Sequence, residues 1–173
     1  MENSRIMLKI VKNIEELNIE QFLSVYRESS YKNGQAFYRN ISETQQMNMA
    51  EDDLIAYLRY DFFQQENAFC ALWIVDGVYK SILRIEPYCD GVLLHALETA
   101  PEDRRKGYGY HLVLAVLEYL QTEKYNKVYS HINKGNKPSL RLHETCGFHM
   151  FSDYAIYIDG TVTQNSYTMM ITL

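Results

Sequence analysis

Residues 100–120 read APEDRRKGYGYHLVLAVLEYL, and the arrangement of the whole chain can be worked outward from them. A short basic turn with two glycines, Arg104-Arg105-Lys106-Gly107-Tyr108-Gly109, runs directly into a dozen residues apolar enough to bury most of a helix. Glycines remove Cβ where the backbone must bend or be approached closely. The amides of such a turn, with the unsatisfied N–H groups of the first helical turn, converge on one spot that the helix dipole makes favourable for an anion. Three cations beside it suit a phosphate. The third glycine of a G-x-G-x-x-G dinucleotide fingerprint would fall on Leu112, and no G-x-x-x-x-G-K-[ST] string occurs, so both of those phosphate loops are excluded. A basic loop at the start of a helix, with no ligand, is the plain alternative.

Composition narrows the class. A chain of 173 residues with 47% hydrophobic residues is expected to form a single domain over 1–173 with a substantial core. The opening MENSRIMLKIVKN has too short an apolar run for a signal peptide, and no window reaches the ~18 apolar residues of a membrane span. The expected location is therefore cytoplasmic. Cys70, Cys89 and Cys146 are far apart with no C-x-x-C, which argues for reduced thiols. A net charge of −5 argues against nucleic acid or an anionic membrane as partner and tolerates a cationic substrate.

In chain order, Ile6–Val11 alternates as a first strand. Asn13 with Glu16, and Asn18 with Gln21, have capping-box spacing, and Ile19, Phe22, Leu23 and Tyr26 then mark a helix to about Ser29. Residues 31–50 lack a clean period and read as a loop with room for short helical turns, with a second helix from Asp52 or Asp53 carrying Leu54, Tyr57, Leu58 and Phe62. Three strands follow over 69–75, 78–86 and 92–99, the first two joined by Asp76-Gly77, a strong hairpin signal. Beyond the basic turn come a helix over 110–124, a strand over 128–132, a helix over 138–146 closed by Gly147, and a hairpin of 148–158 with 165–173 around Asp159-Gly160. The order βααβββαβαββ calls for a mixed sheet with a parallel crossover around the glycine-led helix.

Two segments in this order resemble the GNAT superfamily of N-acyltransferases. LETAPEDRRKGYG, with its R-x-x-G-x-G turn, resembles that family's pyrophosphate loop, and NKPSLRLHETCGF over 136–148 resembles its N-x-x-S-x-x-x-Y-x-x-x-G-F segment. The resemblance implies an α+β fold, an α/β/α sandwich whose mixed, mostly antiparallel sheet of about seven strands is splayed between strands 4 and 5. It implies acetyl-CoA, or coenzyme A, as co-substrate, an acceptor that is a small-molecule or peptide amine, and a homodimer as the usual assembly. Carried over residue by residue, it has the backbone of Leu97 and Thr99 pair with the pantetheine arm along an open strand edge. The turn Arg104, Arg105, Lys106, Gly107, Tyr108 and Gly109 holds the pyrophosphate through its amides, and Asn136 and Ser139 approach the pantetheine and thioester. Asn136 also reads as a helix N-cap.

The catalytic expectations are three. The amide of Leu97 would hold the oxyanion, Glu98 would take a proton from the acceptor, and His143, where the family usually has tyrosine, would protonate the departing thiolate. Each has a plainer reading: Glu98 as a solvated carboxylate or partner of Arg104 or Arg105, His143 as a structural histidine. His143, Cys146 and His149 imitate half a metal site, but Gly147 ends the helix between them and no further ligand cluster is present, so no metal is expected. Acceptor choice is left to the loops around 29–52 and 152–165. Two readings compete with the enzyme: a non-catalytic CoA-binding module on the same fold, and a nucleotide-phosphate binder using the basic turn alone.

Overall fold

The computed structural model describes residues 4–173. Strand β1 (Ile6–Val11) is followed by a 3-10 turn, Ile14–Glu16, which Asn13 caps through Glu15 N–H, and by helix α1 (Ile19–Phe37), capped by Asn18 through Gln21 N–H at 3.0 Å. Helix α2 (Glu43–Tyr60) then packs against α1. Strands β2 (Phe69–Val75), β3 (Val78–Tyr88) and β4 (Gly91–Thr99) form an antiparallel meander. Helix α3 (Tyr108–Thr122), β5 (Lys127–Asn133), α4 (Lys137–Thr145), β6 (His149–Ser152), the short β7 (Ala155–Ile156) and β8 (Val162–Thr163), and β9 (Ser166–Thr172) complete the chain.

The loop expected over 31–50 is mostly helix, and α2 starts about nine residues before Asp52. Gly34 lies in the last turn of α1. It is buried, and a Cβ built there would come within 2.6 Å of the Gln46 carbonyl, so it is the point at which the backbones of α1 and α2 touch. The sequence did carry a start signal for α2. Ser42 and Gln45 form a complete capping box, with Ser42 Oγ accepting from Gln45 N–H. The hairpin expected at the C-terminus is interrupted as well: β6 pairs with β9 in the main sheet, while β7 and β8 form a separate two-stranded ribbon around Asp159-Gly160.

The main sheet has seven strands in the order β1-β2-β3-β4-β5-β9-β6, antiparallel except for the β4–β5 pair. Two apolar layers cover its faces. On one, Leu83, Ile85, Val92 and Leu94 meet Leu112, Val116 and Leu120 of α3; on the other, Leu72, Ile74 and Ile82 meet Phe22 and Val25 of α1, Leu58 of α2 and Phe62. The alternation of β3, with Ile82 on one side and Leu83 on the other, supplies both layers from consecutive residues. Five apolar side chains of α3 are buried, each contributing ~1.5–3 kcal/mol as an upper figure, which seats the helix against β2, β3 and β4.

Two irregularities in β4 shape the site. The ladder with β3 steps from Ile82–Glu98 to Arg84–His95, so Ala96 and Leu97 face Leu83 alone, and Ala96 takes a positive φ of 52°. On its other edge β4 pairs with β5 only from Val92–Val128 to Leu94–Ser130, although β4 continues to Thr99 and β5 to Asn133. The two parallel strands therefore splay apart beyond Leu94, as the family resemblance implies.

Candidate active site

The basic turn leaves its amides free. Gly107 is the N-cap of α3 with φ 84°, Arg105 has φ 63°, and the first intrahelical bond is His111 N–H to Gly107 O at 3.0 Å. Among the described residues the main-chain N–H groups of 105–110 have no protein acceptor. Consecutive amides bent by left-handed residues form an anion-binding concavity. Gly109 lets Thr99 and Leu142 close in, since a Cβ there would lie 3.3 Å from Thr99 Oγ1.

A cleft of about 830 Å³ starts at this turn and is lined by Leu97, Glu98 and Thr99 of β4, by Arg104, Arg105, Gly107, Tyr108 and Gly109, and by Asn136 and Ser139 at the start of α4. The structure thus brings together ten of the residues singled out from the two motifs. Lys106 does not line the cleft. Its ammonium lies 2.7 Å from the buried carboxylate of Asp103, which also holds Lys80 at 2.8 Å. Burial raises the Asp103 pKa, but hydrogen bonds from Lys106 and Lys80 outweigh it and hold the carboxyl below the usual range. This trio fixes the turn between β4 and α3. Arg104 donates to Glu28 at 2.6 Å and approaches Glu98 at 3.8 Å.

A second cavity of about 220 Å³ occupies the splay, lined among others by His95, Leu97, Glu98, Ser130, His131, Asn133, Asn136, Ser139 and His143. The two hollows share Leu97, Glu98, Asn136 and Ser139, so they meet at the β4 bulge. That bulge is held by a side chain from the other layer: the phenol of Tyr26 donates to Ala96 O at 2.6 Å. Two residues on from Ala96, Glu98 turns toward α1, where it accepts a hydrogen bond from Ser29 Oγ. Asn136 does cap α4, its Oδ1 accepting from Ser139 N–H at 3.2 Å, and still reaches both hollows.

His143 is placed differently from the expected acid. It is 2% exposed, its Nδ1 lies 2.8 Å from Ser139 O and its Nε2 lies 3.1 Å from Ser130 Oγ. Burial lowers its pKa, and the neutral tautomer that fits these partners has its only N–H directed at Ser139 O. The ring therefore ties α4 to β5. Cys146 is also buried, its thiol pushed up to about 11, while His149 is exposed on β6. The residue that sequence reasoning missed is His131. It lies in a plain strand pattern one position past the last β4–β5 pair, and only the splay gives it a cavity.

Known proteins are consistent with this geometry. The Acetyltransferase (GNAT) family model matches residues 11–148. Among solved structures, the PaiA N-acetyltransferase of Thermoplasma acidophilum in complex with coenzyme A superposes with a TM-score of 0.65 at 14% identity, covering 96% of this chain and 99% of that one. The ribosomal-protein-S18-alanine N-acetyltransferase of Escherichia coli gives 0.59 at 16% identity, covering 96% and 94%. YncA of Salmonella typhimurium, a structure with acetyl-CoA, gives 0.62 at 14% identity, covering 99% and 95%. A search of curated proteins found no match. At these identities the structural likeness establishes the fold, and the family model covers both motifs: the chain belongs to the GNAT family of acetyltransferases.

Proposed function

We propose that this protein transfers an acetyl group from acetyl-CoA to a primary amine, by direct attack within a ternary complex. The observation that carries the reading is the set of unpaired amides over 105–110 at one end of a cleft whose other end is the β4 bulge. A diphosphate on those amides, with Arg104 and Arg105 beside it, would lay the pantetheine arm along the free edge of β4 at Leu97 and Thr99, which otherwise lacks a strand partner. Coenzyme A supplies the activated thioester. Every other element is the chain's own.

Binding both reactants at the junction of the two hollows supplies proximity. The bulge presents the amide of Leu97 to the acyl oxygen, where a fixed backbone donor stabilises the developing oxyanion. Glu98, reaching both hollows, supplies the negative charge that gathers an ammonium head beside the thioester. His143 acts by position, holding α4 so that Asn136 and Ser139 border the thioester. Cys146, a buried thiol with a raised pKa, is not a nucleophile, in keeping with direct transfer. A CoA-binding module without turnover is the second reading, favoured by the engagement of both His143 nitrogens.

Calorimetry with coenzyme A and transfer of isotopically labelled acetyl from acetyl-CoA across a panel of primary amines test both readings together. Binding with transfer to at least one amine supports the enzyme. Binding with no transfer across the panel supports the module, and no heat from coenzyme A overturns the use of the cradle.

A further inference from the structure

Four buried side-chain nitrogens lack a hydrogen-bond partner among the described residues: Arg84 Nε, His95 Nε2 and both ring nitrogens of His131. Folded proteins seldom leave such groups unsatisfied, and here all four fall on three neighbouring strands. Arg84 and His95 are paired across β3 and β4, and His95 and His131 each follow by one residue the last β4–β5 pair, Leu94–Ser130. His95 Nε2 lies 3.0 Å from Glu86 Oε1, out of line with a ring N–H. Arg84 rests over the rings of Tyr26, Tyr57 and Phe62 at 5.3–6.0 Å. His131 alone has two idle nitrogens and a wall of the splay cavity.

The setting of His131 is that of a held but unemployed imidazole. Its ring stands in T-shaped contact with Tyr88 at 5.1 Å and with Tyr157, beyond β7, at 5.4 Å, so the imidazole is held by packing while neither of its nitrogens has a hydrogen-bond partner among the described residues. Tyr88 in turn donates to Ile156 O at 2.7 Å, which fastens the β7–β8 ribbon over this side of the sheet. Glu98, in contrast, already accepts from Ser29 and has Arg104 near its second oxygen. Glu98 and His131 share the 220 Å³ cavity.

We propose that His131 is the base that takes the proton from the acceptor amine, with Glu98 drawing the ammonium in by charge. This rests on the transferase reading above. The ammonium gives one proton to the free lone-pair nitrogen of His131, producing imidazolium and a neutral amine. The amine lone pair then forms the C–N bond at the acetyl carbon, the C–S bond breaks with its electron pair going to sulfur, and the second nitrogen-bound proton passes to that thiolate. The products are the N-acetyl amide and coenzyme A, and the imidazolium then gives its proton to solvent, which restores the neutral ring. The titratable groups that face His131 are His95, Glu98 and His143, which share its cavity, and Tyr88 and Tyr157, which touch its ring, with Tyr129 packed on Tyr88; the charges of Arg84 and Glu86 lie one step further, beside His95. Burial and neighbouring His95 hold His131 below the ordinary histidine value, so the ring is uncharged and receptive at neutral pH.

The test is the pH dependence of kcat/KM for acetyl-CoA and the best primary amine of the panel, alongside calorimetry with coenzyme A. The wild type should lose activity through one ionisation below pH ~6.5. His131→Gln and His131→Asn, which stay polar but take no proton, should lower kcat by roughly 10²–10⁴ and abolish that limb, with affinity for coenzyme A unchanged. Glu98→Gln should raise the KM for the amine and keep the limb. The proposal is overturned if the limb survives in both His131 variants, if it vanishes in Glu98→Gln instead, or if both His131 variants lose coenzyme A binding, which would make the residue structural. A wild type that binds coenzyme A and acetylates nothing removes the transferase reading itself.

Discussion

Tyr26→Phe removes one oxygen atom at a distance from every reactant, yet it should weaken both folding and turnover. The phenol is buried, with its pKa raised by that burial, and donates to Ala96 O at 2.6 Å. Deleting the donor leaves that carbonyl without this partner in a part-buried place, which costs about 1–3 kcal/mol. Ala96 sits at φ 52°, a left-handed geometry that costs a non-glycine residue roughly 1–2 kcal/mol and persists only while neighbours enforce it. The ring of Phe would keep the Arg84 contact at 5.7 Å, so the change removes the hydroxyl and leaves the packing. A loss of about 1–3 kcal/mol in a chain of this size lowers Tm by roughly 2–12 °C. The amide of Leu97, the oxyanion donor of the proposed function, follows Ala96 directly, and misplacing such a donor costs up to roughly 10²-fold in kcat. Affinity for coenzyme A, which the proposed function assigns mainly to the amides over 105–110, should stay within about twofold, a margin small beside the 1.4 kcal/mol of a tenfold change. Urea denaturation, steady-state kinetics and calorimetry read the three quantities. A variant within ~0.5 kcal/mol of wild type and unchanged in kcat would refute the claim that Tyr26 holds the bulge, since surface-like changes fall in that range.

Three further outcomes follow from the same structure. Gly107→Ala has room, with His111 ring atoms no closer than 3.5 Å, but its φ of 84° costs roughly 1–2 kcal/mol, so coenzyme A binding should fall about tenfold in a titration while α3 stays folded. Gly34→Ala drives a Cβ to 2.6 Å from Gln46 O and must push α1 from α2, lowering stability by about 1–3 kcal/mol in urea melts; an unchanged midpoint would contradict the close backbone contact. His95, His131 and His143 all have pKa values depressed from 6.5, chiefly by burial. Below pH ~6.5 the unfolded chain then binds protons that the fold refuses, so stability drops as pH falls, by up to ~1.4 kcal/mol per pH unit for each histidine. His143→Gln should flatten that slope below pH ~6.5 by at most one proton, measured by chemical denaturation.

Much of this protein was legible in the chain because the signals were local. Asp76-Gly77 between apolar runs set the β2–β3 hairpin with the boundaries observed for β2, and the glycines at 107 and 109 ahead of an apolar run marked the α3 cradle. Pro138 and Gly147 bracketed α4 to within a residue at its start. The helices over 31–50 were not legible for the opposite reason: they rest on the packing of α1 against α2, where Gly34 meets Gln46, twelve residues away in the chain, and that contact outweighs the local cost of glycine in a helix. Tertiary structure alone decided the site's interior. The β4 bulge depends on Tyr26 reaching Ala96 across seventy residues, the splay sets where pairing with β5 ends, and these two facts give His131 a cavity while closing His143 between Ser130 and Ser139. A residue type and its spacing establish which chemistry is available. Which nitrogen keeps a free lone pair is settled by partners brought from distant strands, and no period in the sequence encodes them.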